Sequence, residues 1–125
     1  MKGLIIRKKW VNLILDGQKI WEMRGRPTHI RGRIALIEAG SGTVVGECQL
    51  TGCSRMEVED RVWAKPMHRV DDLSLLEKWN HAWMLSDVIK YSKPIPYNHR
   101  RGAVVWVYIN PAVEKEMNHG RSRTH

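Results

Sequence analysis

The chain has 125 residues, with 21 Lys and Arg facing 13 Asp and Glu, a formal charge of +8 and a pI near 9.9. That length supports one hydrophobic core without the help of a metal or disulfides. Apolar runs such as Ala103 to Ile109 fall far short of the ~20 residues that cross a bilayer, so no membrane span is expected. One domain over residues 1–117 is expected, followed by a disordered basic tail, 118–125. Charge returns within Met-Lys-Gly-Leu-Ile-Ile-Arg too soon for a secretory leader, and this implies a cytoplasmic protein. The basic excess favours a polyanion such as RNA or a nucleotide as partner.

Leu4, Ile5 and Ile6 form an apolar run inside Gly3 to Lys8, read as a first strand buried on both faces. Lys9 to Asp16 follows as a helix. Val11, Ile14 and Leu15 mark its buried stripe, which Trp10 and Leu13 extend, and Gly17 stops it in the left-handed conformation. Ile20 to Arg24 reads as a strand. Its alternation sets Glu22 beside Arg24 on one face and Trp21 beside Met23 on the other, with Lys19 at the entrance. Gly25 to His29 is a turn, and Arg24, Arg26, Arg31 and Arg33 cluster around it. Gly32 to Ala39 and Thr43 to Thr51 pair as a hairpin through Gly40-Ser-Gly42. Gly46 marks a bulge or a tight barrel corner.

Residues 52–69 carry Trp63, Pro66 and His68 in a segment long enough to be a binding loop. Asp71 or Asp72 caps a helix over Leu73 to Trp79. Ala82 to Ile89 is a strand. Lys93-Pro-Ile-Pro-Tyr97 is extended but excluded from a central strand by its prolines, and Gly102 to Ile109 is the last strand. A short helix starts at Pro111 and runs to about Met117. The sum is an α+β domain: a small mixed, mostly antiparallel β-barrel of five to six strands with two to three flanking helices. Cys48 and Cys53, an odd number apart, point to opposite faces and read as reduced thiols. His29 and His68 lie too far from them for a zinc site, and no metal or cofactor is expected.

Gly17-x-Lys19-x-x-Glu22-x-Arg24 resembles the signature of the ASCH domain, a member of the PUA-like superfamily. The resemblance extends to Ala82-Trp83-Met-Leu-Ser86, Pro94-Ile-Pro-Tyr97 and Gly102-Ala-Val-Val-Trp106, and so covers residues 3–109. It implies a PUA-like barrel that binds RNA or a modified nucleoside in a cleft holding Lys19, Glu22 and Arg24. Some relatives are amidohydrolases of N4-acetylcytidine, with a lysine at the place of Lys19, a threonine where this chain has Glu22, and a more distal glutamate. Glu22 would then supply acid–base help directly, and Glu57, Glu59, Asp71, Asp72 and Glu77 are all open as the distal carboxylate. Other relatives cleave RNA, a reaction in which His68 or His99 would join Lys19.

Two further groups complete the candidate site. Trp21, Trp63 and Trp83 are placed where they could stack on a base, whereas Trp10, Trp79 and Trp106 fall on apolar faces and read as core. Tyr97-Asn98-His99-Arg100-Arg101 is either a solvated loop or a nucleic-acid-facing rim, with the arginines on phosphate and Asn98 or His99 reading a base edge. A third reading makes the basic face a docking module for a protein, with no pocket chemistry.

Overall fold

The computed structural model describes residues 1–122. Six strands and three helices follow in the order β1 (Lys2–Ile6), α1 (Lys8–Leu15), β2 (Trp21–Arg24), β3 (Gly32–Glu38), β4 (Thr43–Arg55), α2 (Lys65–His68), β5 (His81–Pro96), β6 (Trp106–Tyr108) and α3 (Pro111–Ser122). The strands form one sheet in the order β2-β5-β4-β3-β1-β6. It curls into a half-barrel, the α+β architecture expected from the sequence. The β1 and β3 pair is parallel because α1 and β2 intervene, and every other pair is antiparallel.

Alternation along β1 sends Leu4 and Ile6 into one cluster with Val11, Ile14, Ile34 and Leu36, and Ile5 into a second with Ile37, Val44 and Val107. Both faces of β1 are therefore buried. A third cluster, Met23, Met56, Ala64, Val70, Leu76 and Ala82, lies under the connection between β4 and β5. That connection contains 3-10 turns at Val58–Asp60 and Leu73–Glu77 as well as α2. The second turn replaces the helix expected over Leu73 to Trp79. Asp72 does cap it, its carboxylate accepting from the Ser74 backbone at 3.1 Å.

Four boundaries differ from the sequence reading, the last strand among them: it spans only Trp106–Tyr108, because residues 100–103 form a turn instead of joining it. β4 runs on to Arg55, and β5 is continuous from His81 through Pro96. The prolines are accommodated because β2 covers only His81–Met84, so the rest of β5 has one neighbour. The Tyr97 amide donates toward β4, to Gly42 O. By strand alternation the missing donors of Pro94 and Pro96 face the open edge, where no ladder bond is lost. Finally, α3 reaches Ser122 instead of stopping near Met117, so residues 118–122 are helical where a tail was expected; residues 123–125 lie outside the described residues. Val113 and Met117 bury in the second cluster, and Arg121 pairs with Glu47 at 2.6 Å, which holds the last turn against the sheet.

Gly46 is the expected bulge, at a register shift against both neighbouring strands. A Cβ there would lie 2.5 Å from the Ile89 carbonyl oxygen and 2.6 Å from a Leu15 methyl. Gly46→Ala is therefore expected to destabilise the fold by about 1–3 kcal/mol, because α1 must lift off β4 to admit one methyl. Urea denaturation measures this, and an unchanged midpoint would show that α1 does not press on the bulge.

Candidate functional site

The site begins with the end of α1. The Gly17 amide donates to Ile14 O and the Gln18 amide to Leu13 O, the paired bonds of a Schellman stop, and Gly17 takes a φ of +77°. The Lys19 amide donates to the same Leu13 carbonyl. This tight reversal turns the Lys19 side chain inward, where it is only 1% exposed. Its ammonium donates to the His68 backbone carbonyl at 2.5 Å and lies 4.9 Å from the centre of the Trp10 ring.

That carbonyl is a terminal one of α2, left without an intrahelical partner when Arg69 leaves the helix in the left-handed region at φ 57°. The neighbouring Met67 carbonyl accepts the Ile20 amide. Residues 19 and 20 thus cap α2 together. The long loop contributes to the site through a backbone oxygen.

Glu22 comes from β2 and is 4% exposed. One carboxylate oxygen lies 3.8 Å from the Lys19 Nζ, and the other accepts from Arg24 Nε and Nη2 at 3.1 and 2.9 Å. Arg24 Nη2 also donates to Ile5 O at 2.8 Å, and the guanidinium lies 5.5 Å from the centre of the Trp83 ring. Arg24 Nη1 has no hydrogen bond among the described residues. These three side chains line one cleft of about 290 Å³, walled by Trp10, Trp79 and Val70 and rimmed by Arg7 and Val104. The volume sits near the lower end for sites that enclose a small organic ligand.

Burial pushes the Lys19 ammonium down from its usual 10.5 to about 8; Glu22 opposes this and Arg24 adds to it. The unfolded chain therefore binds a proton between about pH 8 and 10.5 that the folded chain does not. Folding stability from this residue rises with pH across that window, by on the order of 3 kcal/mol. The Cys48 thiol, pushed up by burial to about 12, works the other way above pH 9, as does the buried Tyr91 phenol above pH 10. Subtracting the pH–stability curve of Lys19→Met from that of the wild type isolates the lysine. Wild-type minus variant stability should rise as pH climbs from 8 to 10.5, and a flat difference would mean the ammonium is not desolvated.

The other sequence candidates scatter. His68 is fully buried; its Nδ1 accepts the Val70 amide at 2.9 Å, and its Nε2 donates to Arg61 O at 2.8 Å. Burial and nearby cations hold that ring neutral, and it has no lone pair left for a substrate. Trp83 is 4% exposed and stacks on Trp106 at 5.8 Å, with its indole N–H on Arg26 O, so it is a packing residue under Arg24. Trp21 meets Trp63 edge to face at 6.4 Å and, by strand alternation, sits on the face of β2 opposite Glu22. Trp63 is 59% exposed and donates to Asp60. Arg26 is exposed, while Tyr97 bonds His99 Nδ1 at 2.7 Å on the loop that also carries the exposed Asn98, Arg100 and Arg101.

Glu57, Glu59, Asp71, Asp72 and Glu77 are all exposed and line no part of the cleft. Trp10 and Trp79, read as core, prove to be cleft walls: both are half-buried, and an apolar helical face looks the same in sequence whether it meets a core or a ligand.

A PUA-like half-barrel with a buried lysine, a carboxylate and an arginine sharing one cleft defines the class of this protein. The ASCH domain model matches residues 4–95, and the chain belongs to that family. Among solved structures, the ASCH protein of Zymomonas mobilis is similar at a TM-score of 0.72 and 13% identity, covering 94% of this chain and 93% of that one. Two point-mutant structures of the same protein give TM-scores of 0.71 and 0.70 at 14% and 13% identity, each covering 94% of this chain. They cover 96% and 94% of their own chains. None of the curated proteins compared with the chain matches it.

Proposed function

We propose that the cleft binds RNA or a modified nucleoside by its base, with Lys19 and Glu22 reading the polar edge and Arg24 holding the pair in place. The observation that carries this reading is the burial of Lys19 and Glu22 in one small cavity, 1% and 4% exposed. A buried ammonium and carboxylate side by side present a donor next to an acceptor, the pattern a base edge complements. Trp10 offers an aromatic wall for stacking. Removing the Lys19 amine should abolish nucleoside and single-stranded RNA binding, measured by tryptophan fluorescence; retained affinity would refute the reading.

A second reading makes the same cleft a hydrolase, with deacetylation of N4-acetylcytidine first and RNA cleavage after it. The lowered Lys19 pKa supports an amine that takes a proton from an attacking water. Glu22 is then the carboxylate beside it, and the His68 ring, with both nitrogens engaged, is not available as a base for RNA cleavage. Release of acetate from N4-acetylcytidine by the wild type, absent in Lys19→Met, separates catalysis from binding alone.

A further inference from the structure

The loop between β5 and β6 lies outside the residues matched by the family model, yet it reaches the cleft. Val104 lines the rim while remaining 76% exposed. The carbonyl of the next residue, Val105, accepts the Ile5 amide at 2.9 Å, and the Ile5 carbonyl in turn accepts Arg24 Nη2 at 2.8 Å. The residue that steadies Arg24 in the cleft thus also anchors the end of this loop. Its other end is fixed by the Tyr97 amide on Gly42 O.

Between these anchors the Ala103 amide closes a turn onto Arg100 O, which folds Arg100 back to Ala103, the residue before Val104. Neither Arg100 nor Arg101 has a side-chain partner among the described residues, and both are exposed. No acidic residue occurs between Asp87 and Glu114, so nothing on the loop neutralises them. Arg7, likewise exposed and without a side-chain partner among the described residues, rims the cleft too.

Resting on the nucleoside reading of the cleft, we propose that its occupant is one residue of a single-stranded polynucleotide, whose flanking phosphates are held by Arg100 and Arg101 as the strand leaves over Val104. A cavity of about 290 Å³ is of the size of a single nucleoside, so a strand would leave across the rim. Free guanidinium groups there match phosphate by charge and by their planar fork. Val104 then gains cover from the sugar or the adjacent base.

The test uses the whole chain and two ligands: a free nucleoside, followed by tryptophan fluorescence, and a short single-stranded RNA, followed by anisotropy across a salt series. Arg100→Glu combined with Arg101→Glu should weaken RNA binding at least tenfold and make the slope of log K on log salt shallower by about 1–2, near 0.7 per lost phosphate contact. Nucleoside affinity should stay where it was. Unchanged RNA affinity and slope, with nucleoside binding intact, would overturn the loop's role and leave the cleft reading standing. Failure of the wild type to bind either ligand would overturn both. Competition by polyglutamate as effective as competition by RNA would assign the arginines to an acidic protein instead, and would also overturn the proposal.

Discussion

Glu47→Ala should lower the unfolding free energy by about 3–5 kcal/mol, the range for stripping one partner from a buried ionic cluster. Glu47 is fully buried in β4 and accepts from Arg33 Nε at 2.5 Å and from the Tyr91 hydroxyl at 2.6 Å, with Arg121 of α3 also at 2.6 Å. Alanine removes the carboxylate that these donors share and leaves the Arg33 and Arg121 guanidinium groups without it beside a cavity. Part of the loss should appear locally, as fraying of the last turn of α3, because Arg121 is its ionic tie to the sheet. Urea titration gives the global term, and amide exchange in 118–122 the local one. A loss below about 1 kcal/mol would mean that water enters and solvates the cluster.

Lys19→Ala should weaken ligand binding by about thirtyfold or more, since truncating a buried, hydrogen-bonded charge costs about 2–5 kcal/mol of affinity. The variant also leaves the His68 carbonyl and Glu22 without the ammonium, so some loss of affinity could arise from a displaced α2. Lys19→Met separates the two effects. It keeps most of the apolar stem against Trp10 and removes only the charge. If it retains the wild-type thermal midpoint but fails to bind, the ammonium itself makes the contact. If both variants bind normally, the cleft is not the site.

The parts of this arrangement that were readable in the chain are those encoded within a few residues. Gly17 after the apolar stripe of α1 specifies the Schellman stop, and the alternation of β2 places Glu22 and Arg24 on one face, where their salt bridge is found at 2.9 Å. The hairpin at Gly40-Ser-Gly42 and the bulge at Gly46 are likewise local, since each follows from backbone freedom at a glycine. The ASCH signature added what alternation could not, that these charges gather in a cleft.

What escaped the sequence depends on partners distant along the chain. Lys19 is held by a carbonyl 49 residues away, and Arg24 by one 19 residues away. His68, proposed as a ligand-binding side chain, uses its ring to hold its own loop, and that follows from the positions of Arg61 and Val70 in space. Glu47 carried no signal at all: in sequence it is one charge in a strand, and its burial depends on Arg33, Tyr91 and Arg121 converging from three elements.

By itself the sequence determined the family, the order of the strands, the stop after α1 and the residue types at the cleft, because propensity, glycine geometry and side-chain alternation act over neighbouring positions. Only the tertiary structure decided that Lys19 is buried, that Trp10 and Trp79 wall the cleft, and that α3 is tied down through Glu47. Burial and charge pairing depend on which surfaces the closed sheet brings together, and the local sequence does not contain that information.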